Sequence, residues 1–249
     1  MATKQIEVVT SILDANQRVA DEIRHIFAHA DLLTINLISS PGSGKTLLLE
    51  KTMPLLKACG IRCGVIAGDI ATCADAERIA ATGAPVVQIT TESFGGACHL
   101  EAPAVLQALG HLQMDELDML IIENVGNLVC PAEFDVGEAL RVVILSVTEG
   151  EDKPLKYPLA FHVADCCLVS KIDLVPHLNM SMEKLHASLE RINPKAKRIE
   201  LSSQQGDGLT EWVDWLVEQN AQKTELLEHH HAPSASTGKG HSHGHSHSH

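Results

Sequence analysis

Ser39-Ser40-Pro41-Gly42-Ser43-Gly44-Lys45-Thr46 (SSPGSGKT, 39–46) ends the apolar run LTINLIS (33–39) and opens a stretch of helix-forming residues. The spacing is that of a phosphate-binding loop ending in Gly-Lys-Thr. Small residues at Gly42, Ser43 and Gly44, entered through Pro41, let backbone N–H groups wrap a polyphosphate, and the helix start adds a favourable dipole. Lys45 would reach the β- and γ-phosphates, and the Thr46 hydroxyl would ligate Mg2+. The strict pattern opens with Gly where this chain has Ser39, a sterically small departure.

The pattern around this loop repeats outward. LTINLIS reads as a buried strand, and a helix should follow from Lys45, with Pro54 a possible point of disturbance. Further strands are expected at RCGVIA (62–67), PVVQIT (85–90), LDMLIIE (117–123), RVVILSV (141–147), CCLVSK (166–171) and KRIEL (197–201). Helices are expected around 73–82, 99–110, 181–192 and 209–220. Upstream, Ile6, Val9, Ile12, Leu13, Val19, Ala20, Ile23, Ile26 and Phe27 recur at three- and four-residue intervals, the spacing of an amphipathic helix. The expected fold class is α/β: a P-loop NTPase with a mostly parallel sheet flanked by helices on both faces.

Two later motifs bear on the nucleotide. The strand CCLVS runs into Ser170-Lys171-Ile172-Asp173, where guanine-binding proteins carry Asn-Lys-x-Asp. The Asp173 carboxylate can accept from guanine N1 and N2, and the Lys171 stem can cover the base. Ser170 in place of Asn predicts a weaker bond holding that loop. The next strand leads to Leu201-Ser202-Ser203, then Gly206 and Gly208, with the Ser203 N–H the expected donor to guanine O6. These features point to GTP. Glu123 ends the strand DMLIIE and can hold the Mg2+ shell, and Gly126 stands where a switch glycine meets the γ-phosphate. Asp69 reads either as a second acid near magnesium or as a helix cap. Asp75 reads first as a helix-start residue and second as a switch residue. No motif supplies an arginine finger, so hydrolysis should be slow without a partner.

The formal charge of −13 argues against general nucleic-acid binding, which needs basic surface. No apolar run approaches the roughly 20 residues that span a bilayer, and the N-terminus does not read as a signal peptide. The expected compartment is cytoplasmic, with no membrane partner. The seven cysteines show no disulfide framework and are expected to be reduced. Residues 1–224 read as one domain. Residues 225–249 read as a disordered tail, because a segment rich in His, Ser and Gly cannot bury enough apolar surface to fold. Its histidines, His229, His230, His231, His241, His243, His245, His247 and His249, are candidate Ni2+ ligands.

GGACHLEA (95–102) sets Cys98 beside His99. Thiolate and imidazole suit Zn2+ or Ni2+. Adjacent residues on a strand face opposite ways, so the pair can share an ion only from a turn or helix start. Cys130, four residues after Gly126, is the best third ligand, and its position would let a γ-phosphate contact move a metal ligand. Two or three ligands per chain suggest a shared site on a two-fold axis. Cys59, Cys63, Cys166 and Cys167 are expected to be ordinary buried cysteines. Cys73, near Asp69, has no assigned role.

Together NLISSPGSGKT, GDIAT…DAERI…TGAPVVQI, GGACHLEA, ENVGNLVCP, SVTEGEDKPLKYP and SKIDL resemble the HypB family of hydrogenase nickel-incorporation GTPases, of the SIMIBI class. The resemblance runs from about Asn16 to Leu216. Ser39 is within that family's pattern. It implies GTP hydrolysis, nickel delivery during [NiFe]-hydrogenase maturation, and a GTP- and metal-dependent homodimer. It also implies a HypA-type nickel protein and the hydrogenase large subunit as partners, and Cys98, His99 and Cys130 as interfacial Ni2+ or Zn2+ ligands. Some members carry an N-terminal cysteine-rich motif; MATKQIEVVTSI (1–12) holds none, so a separate tight N-terminal metal site is not expected. Two other readings stand beside it. A urease-type GTPase would carry Cys-Pro-His, whereas Cys98 and His99 are directly joined. A nickel or zinc store or sensor would rest on the tail.

Overall fold

In the computed structural model, described for residues 8–69, 74–91 and 98–229, seven strands form one sheet. They are β1 (Leu33–Ser39), β2 (Cys63–Asp69), β3 (Val86–Thr90), β4 (Met119–Glu123), β5 (Leu140–Ser146), β6 (Cys166–Ser170) and β7 (Lys197–Leu201). Their spatial order is β3-β2-β4-β1-β5-β6-β7, and every neighbouring pair is parallel. Each expected strand is present, with ends displaced by a residue or two. The helices are α1 (Val8–His29), α2 (Lys45–Ala58), α3 (Ala74–Ala80), α4 (Ala102–Leu109), α5 (Cys130–Glu133), α6 (Lys153–Lys156), α7 (Pro158–His162), α8 (Met182–Ile192), α9 (Leu209–Ala221) and α10 (Lys223–His229).

Apolar runs in a parallel sheet bury both faces, because alternate side chains point to opposite sides. On one side Ile35, Leu37, Val65, Ile121, Val142 and Leu168 pack beneath α2, α3 and α9. On the other, Ile66, Leu120 and Ile122 meet α1 and α4, while Val143, Leu145 and Val169 meet α7 and α8. The amphipathic reading of α1 holds: Ala20, Ile23 and Phe27 are buried while Asp21, Glu22 and His25 are exposed.

Four expectations change. Pro54 does not interrupt α2, which runs continuously through it. Leu48, Leu49, Met53 and Leu56 are buried against the sheet, so packing outweighs the missing N–H. The helix expected over 99–110 begins only at Ala102, with Glu101 extended and Pro103 in the first turn. Cys59 is exposed at the end of α2, unlike the buried Cys63, Cys166 and Cys167. The segment 225–229, assigned above to the tail, continues α10, whose Leu226 and Leu227 pack on the core. Residues 230–249 and Cys73 lie outside the described residues.

The turn that starts α9 is tightly specified. Gly208 has φ 71°, and a Cβ there would lie 1.9 Å from the Glu200 carbonyl oxygen. The helix carries Trp212, whose indole N–H donates to Thr52 Oγ1 at 3.0 Å across the core. Gly208→Ala is therefore expected to destabilise the protein by more than about 1 kcal/mol. A lowered midpoint in urea unfolding checks this, and an unchanged midpoint contradicts the described turn.

Candidate nucleotide and metal site

The phosphate loop leaves β1 at the carboxyl edge of the sheet, where open α/β sheets bind ligands. Gly42 (φ 72°) and Gly44 (φ 97°) take left-handed conformations closed to side chains, turning the backbone around the loop's centre. Ser39, the departure from the strict motif, acts as the inner brace. Its hydroxyl oxygen accepts from Lys45 Nζ at 2.8 Å and from the Ser43 hydroxyl at 2.6 Å. Burial lowers the Lys45 pKa, while Glu123, Asp75, Asp69 and Glu149 hold it up through their charges.

Beside the loop lies a cleft of about 430 Å3, lined by Pro41 to Leu47 and by Asp69, Asp75, Arg78, Glu123, Gly126 and Lys171. Thr46 Oγ1 donates to Glu123 Oε1 at 3.3 Å. The other Glu123 oxygen is buried without a hydrogen-bond partner. Burial pushes the Glu123 carboxyl up to about 7, against the pull of Lys45. An orphaned carboxylate oxygen beside a threonine hydroxyl is a donor set that fits Mg2+. Asp69 closes β2 and lines the cleft. Asp75 is at the start of α3 and also lines the cleft. Arg78, which sequence reasoning passed over, reaches the cleft but is held by Glu50 at 2.6 Å and Asp75 at 3.4 Å.

The SKID segment docks on the phosphate loop. Ser170 is buried and donates to the Ser43 carbonyl at 2.9 Å, so serine makes a tie between the two loops. Lys171, in the left-handed region at φ 61°, donates to the Gly42 carbonyl at 2.6 Å. Asp173 lies in the 3-10 turn Ile172–His177 after β6. Ser203 follows β7, paired alongside β6. Both stand at the carboxyl edge, but neither lines the cleft.

The thiol and imidazole groups do converge. Cys98 Sγ lies 3.0 Å from Cys130 Sγ and 3.9 Å from His99 Nδ1. One donor atom from each of the three residues falls within 4.8 Å of the others. Cys98 and His99 occupy the bend before α4, the turn that adjacent ligands need. His99 is packed on Phe134, ring centroids 4.0 Å apart, and its buried Nε2 has no hydrogen-bond partner. Burial lowers the His99 pKa, favouring the neutral imidazole that binds metals. The Cys98 thiol raises the Cys130 pKa, so metal binding must displace a proton. Two sulfurs and one imidazole fit a borderline-soft divalent ion and leave a fourth position open, with Glu101 Oε1 3.7 Å from His99 Nε2.

Two asparagines missed by sequence reasoning join these sites. Asn124, fully buried, accepts from Leu100 N at 3.1 Å and donates to Asn36 at 3.2 Å. Asn127 donates to the Cys98 carbonyl at 3.3 Å, and its backbone bridges to Ser39. Gly126 is pressed on the phosphate loop: a Cβ there would lie 3.0 Å from Pro41 Cα.

A parallel sheet, a glycine-turned loop at its carboxyl edge and an acid-lined cleft define a P-loop nucleotide-binding protein. The CobW/HypB/UreG nucleotide-binding domain matches residues 33–200, and the chain belongs to that family, among its HypB hydrogenase maturation factors. Hydrogenase maturation factor HypB of Escherichia coli K12 is 48% identical over 216 residues, covering 87% of this chain and 73% of its own. The crystal structure of Helicobacter pylori HypB in complex with nickel matches with TM-score 0.78 and 37% identity, over 84% of this chain and 97% of that one. The Archaeoglobus fulgidus HypB structure matches with TM-score 0.77 and 38% identity, over 84% of this chain and all (100%) of that one.

The buried Glu123 has a measurable signature. Its folded-state pKa, about 7, exceeds the ordinary 4.5, so the folded protein holds a proton that the unfolded chain has released. Stability without ligand should therefore fall as pH rises through that window and level off above it. Glu123→Gln removes the titration. Its melting temperature is expected to fall less than the wild type's between about pH 5 and about pH 8. Equal falls would contradict the unpaired buried carboxylate.

Proposed function

We propose that this chain is a GTP-hydrolysing nickel metallochaperone that delivers or inserts nickel during [NiFe]-hydrogenase maturation. The observation that carries the reading is the joining of two sites. Cys98, His99 and Cys130 gather three metal donors within 4.8 Å, and Cys130 ends the same run that begins with Glu123 and Gly126 beside the phosphate loop. The nickel in the Helicobacter pylori structure supports the choice of cargo. The thiolate–imidazole set would also accept Zn2+.

In this reading Pro41, Gly42, Ser43 and Gly44 wrap the phosphates, Lys45 binds their charge, and Thr46, Glu123 and Asp69 surround Mg2+. Asp173, Lys171 and Ser203 read guanine. Hydrolysis is slow in isolation because Arg78, the arginine at the cleft, is tied to Glu50 and Asp75. Val129, a half-exposed apolar residue, adjoins the metal cysteines. That exposure favours a homodimer sharing the site, closed by GTP and metal. A HypA-type nickel protein and the hydrogenase large subunit are the proposed partners. No helix among the described residues is long and apolar enough to cross a membrane, and the proposed compartment is the cytoplasm. Tail histidines from His229 onward would gather Ni2+ at high local concentration.

A second client has one observation in its favour. A relative from Helicobacter hepaticus, 40% identical over 233 residues, is a hydrogenase/urease maturation factor HypB. Urease service is therefore an alternative outcome of client assays.

Two measurements test the proposal. Nickel titrations with GDP and with a non-hydrolysable GTP analogue are expected to give different affinities, and Cys98→Ala should lose core binding even after residues 230–249 are removed. If all nickel binding goes with the tail, the core carrier reading fails. Asp173→Asn should weaken GTP binding by about 100-fold or more, because a site built to accept from guanine loses its acceptor. The variant should admit xanthosine triphosphate, whose C2 carbonyl suits an amide donor. Unchanged GTP affinity would overturn the role of Asp173.

A further inference from the structure

Among the described residues, Leu100 and Asn127 tie the segment holding Cys98 and His99 to the rest of the molecule in different ways. Leu100, one residue on, is fixed to the core. Its N–H donates to the buried Asn124 carbonyl at 3.1 Å, and its side chain seats against Gly68, where a Cβ would lie 2.8 Å away. Those ties do not involve the phosphate loop. Asn127 differs. Its backbone pairs with Ser39, the residue that braces Lys45. Its amide N–H donates to the Cys98 carbonyl at 3.3 Å. Its amide oxygen accepts from Val129 N at 2.9 Å, one residue before Cys130. It immediately follows Gly126, which leaves no room against Pro41.

We infer that Asn127 is a positioning residue that sets the separation of Cys98 and Cys130 according to the state of the phosphate loop. The inference rests on the nickel-carrier reading above and names the element that regulates it. The physical argument is one of leverage. When a γ-phosphate draws Lys45 from Ser39, or draws the Gly126 N–H toward itself, the Ser39–Asn127 pairing must shift. Asn127 holds one metal-bearing segment by its N–H and the other by its oxygen, so a rotation or translation of this one side chain moves both cysteines. Leu100 stays anchored by Asn124, so the shift reaches Cys98 and His99 without passing on into α4.

The test uses the full chain, Ni2+ as probe, and both nucleotide states. Three proteins are compared: wild type, Asn127→Ala, which removes both amide bonds, and Asn127→Asp, which keeps the acceptor for Val129 but loses the donor to Cys98. Nickel affinity is read from the thiolate-to-nickel charge-transfer absorption, whose position also reports ligand geometry. Couplings of this kind are typically roughly 5- to 150-fold. The wild-type ratio of affinities between GDP and GTP-analogue states is expected to collapse to within about twofold in Asn127→Ala. The charge-transfer band should then be the same in both states. Asn127→Asp should fall with Asn127→Ala if the Cys98 bond is the working one.

An Asn127→Ala protein that keeps the wild-type ratio overturns the inference. So does one that weakens nickel equally in both states while preserving the ratio, since that marks a merely structural support. Equal affinities in the wild type itself would instead overturn the nickel-gating reading on which the inference stands.

Discussion

Leu37 lies opposite Glu123 in the parallel pairing of β1 and β4. This register places the phosphate loop, which leaves β1 two residues later, beside the acid that ends β4. Side chains alternate along a strand, so a slip of one residue would turn Glu123 to the opposite face and bury Ile122 in its place. The register is held by apolar packing on both faces. Ile121 packs beneath α2 and Ile122 against α1 and α4, and neither can exchange sides without opening a core. The chemistry at the sheet's edge therefore inherits its precision from hydrophobic strands that never touch a ligand.

The same register concentrates charge that the fold does not neutralise by itself. Lys45 is partly buried and held by Ser39, a neutral brace, while Glu123 keeps one oxygen without a hydrogen-bond partner. Burying such groups costs free energy unless they are paired. A polyphosphate and a divalent cation would bring the missing partners: anionic oxygens for Lys45 and a positive ion for Glu123. Arg78 follows a different logic. Its guanidinium already meets two carboxylates, so it contributes a closed ion-pair cluster at the rim rather than a free cation.

Much of this was legible in the sequence. The phosphate loop, the seven strands and the cluster of Cys98, His99 and Cys130 each announce themselves by residue type and spacing. What escaped has a common cause: it depends on which loops approach one another, and spacing along one segment carries no such information. Ser170 was read as a loss relative to asparagine, yet folding brings its hydroxyl to the Ser43 carbonyl. Asn124 and Asn127 look like ordinary loop residues until the fold sets them against Leu100 and Cys98. Pro54 and the early end assigned to the folded chain failed for a second reason. Local propensity lost to packing, of α2 in one case and of Leu226 and Leu227 in the other.

The candidate donors Cys98, His99 and Cys130 would suit passing an ion on rather than keeping it. A closed structural zinc site uses four ligands, whereas one chain here offers three. The thiols are held in contact with each other at 3.0 Å, and the Cys98 thiol raises the pKa of Cys130. An entering ion must therefore displace a proton, and a returning proton competes with it. His99 is less of a barrier, because burial already favours its neutral form. The ligand set thus divides its labour: an imidazole ready to bind, and a thiol pair whose affinity depends on how far apart the protein holds it. That sensitivity gives a nucleotide-driven loop movement something to act upon.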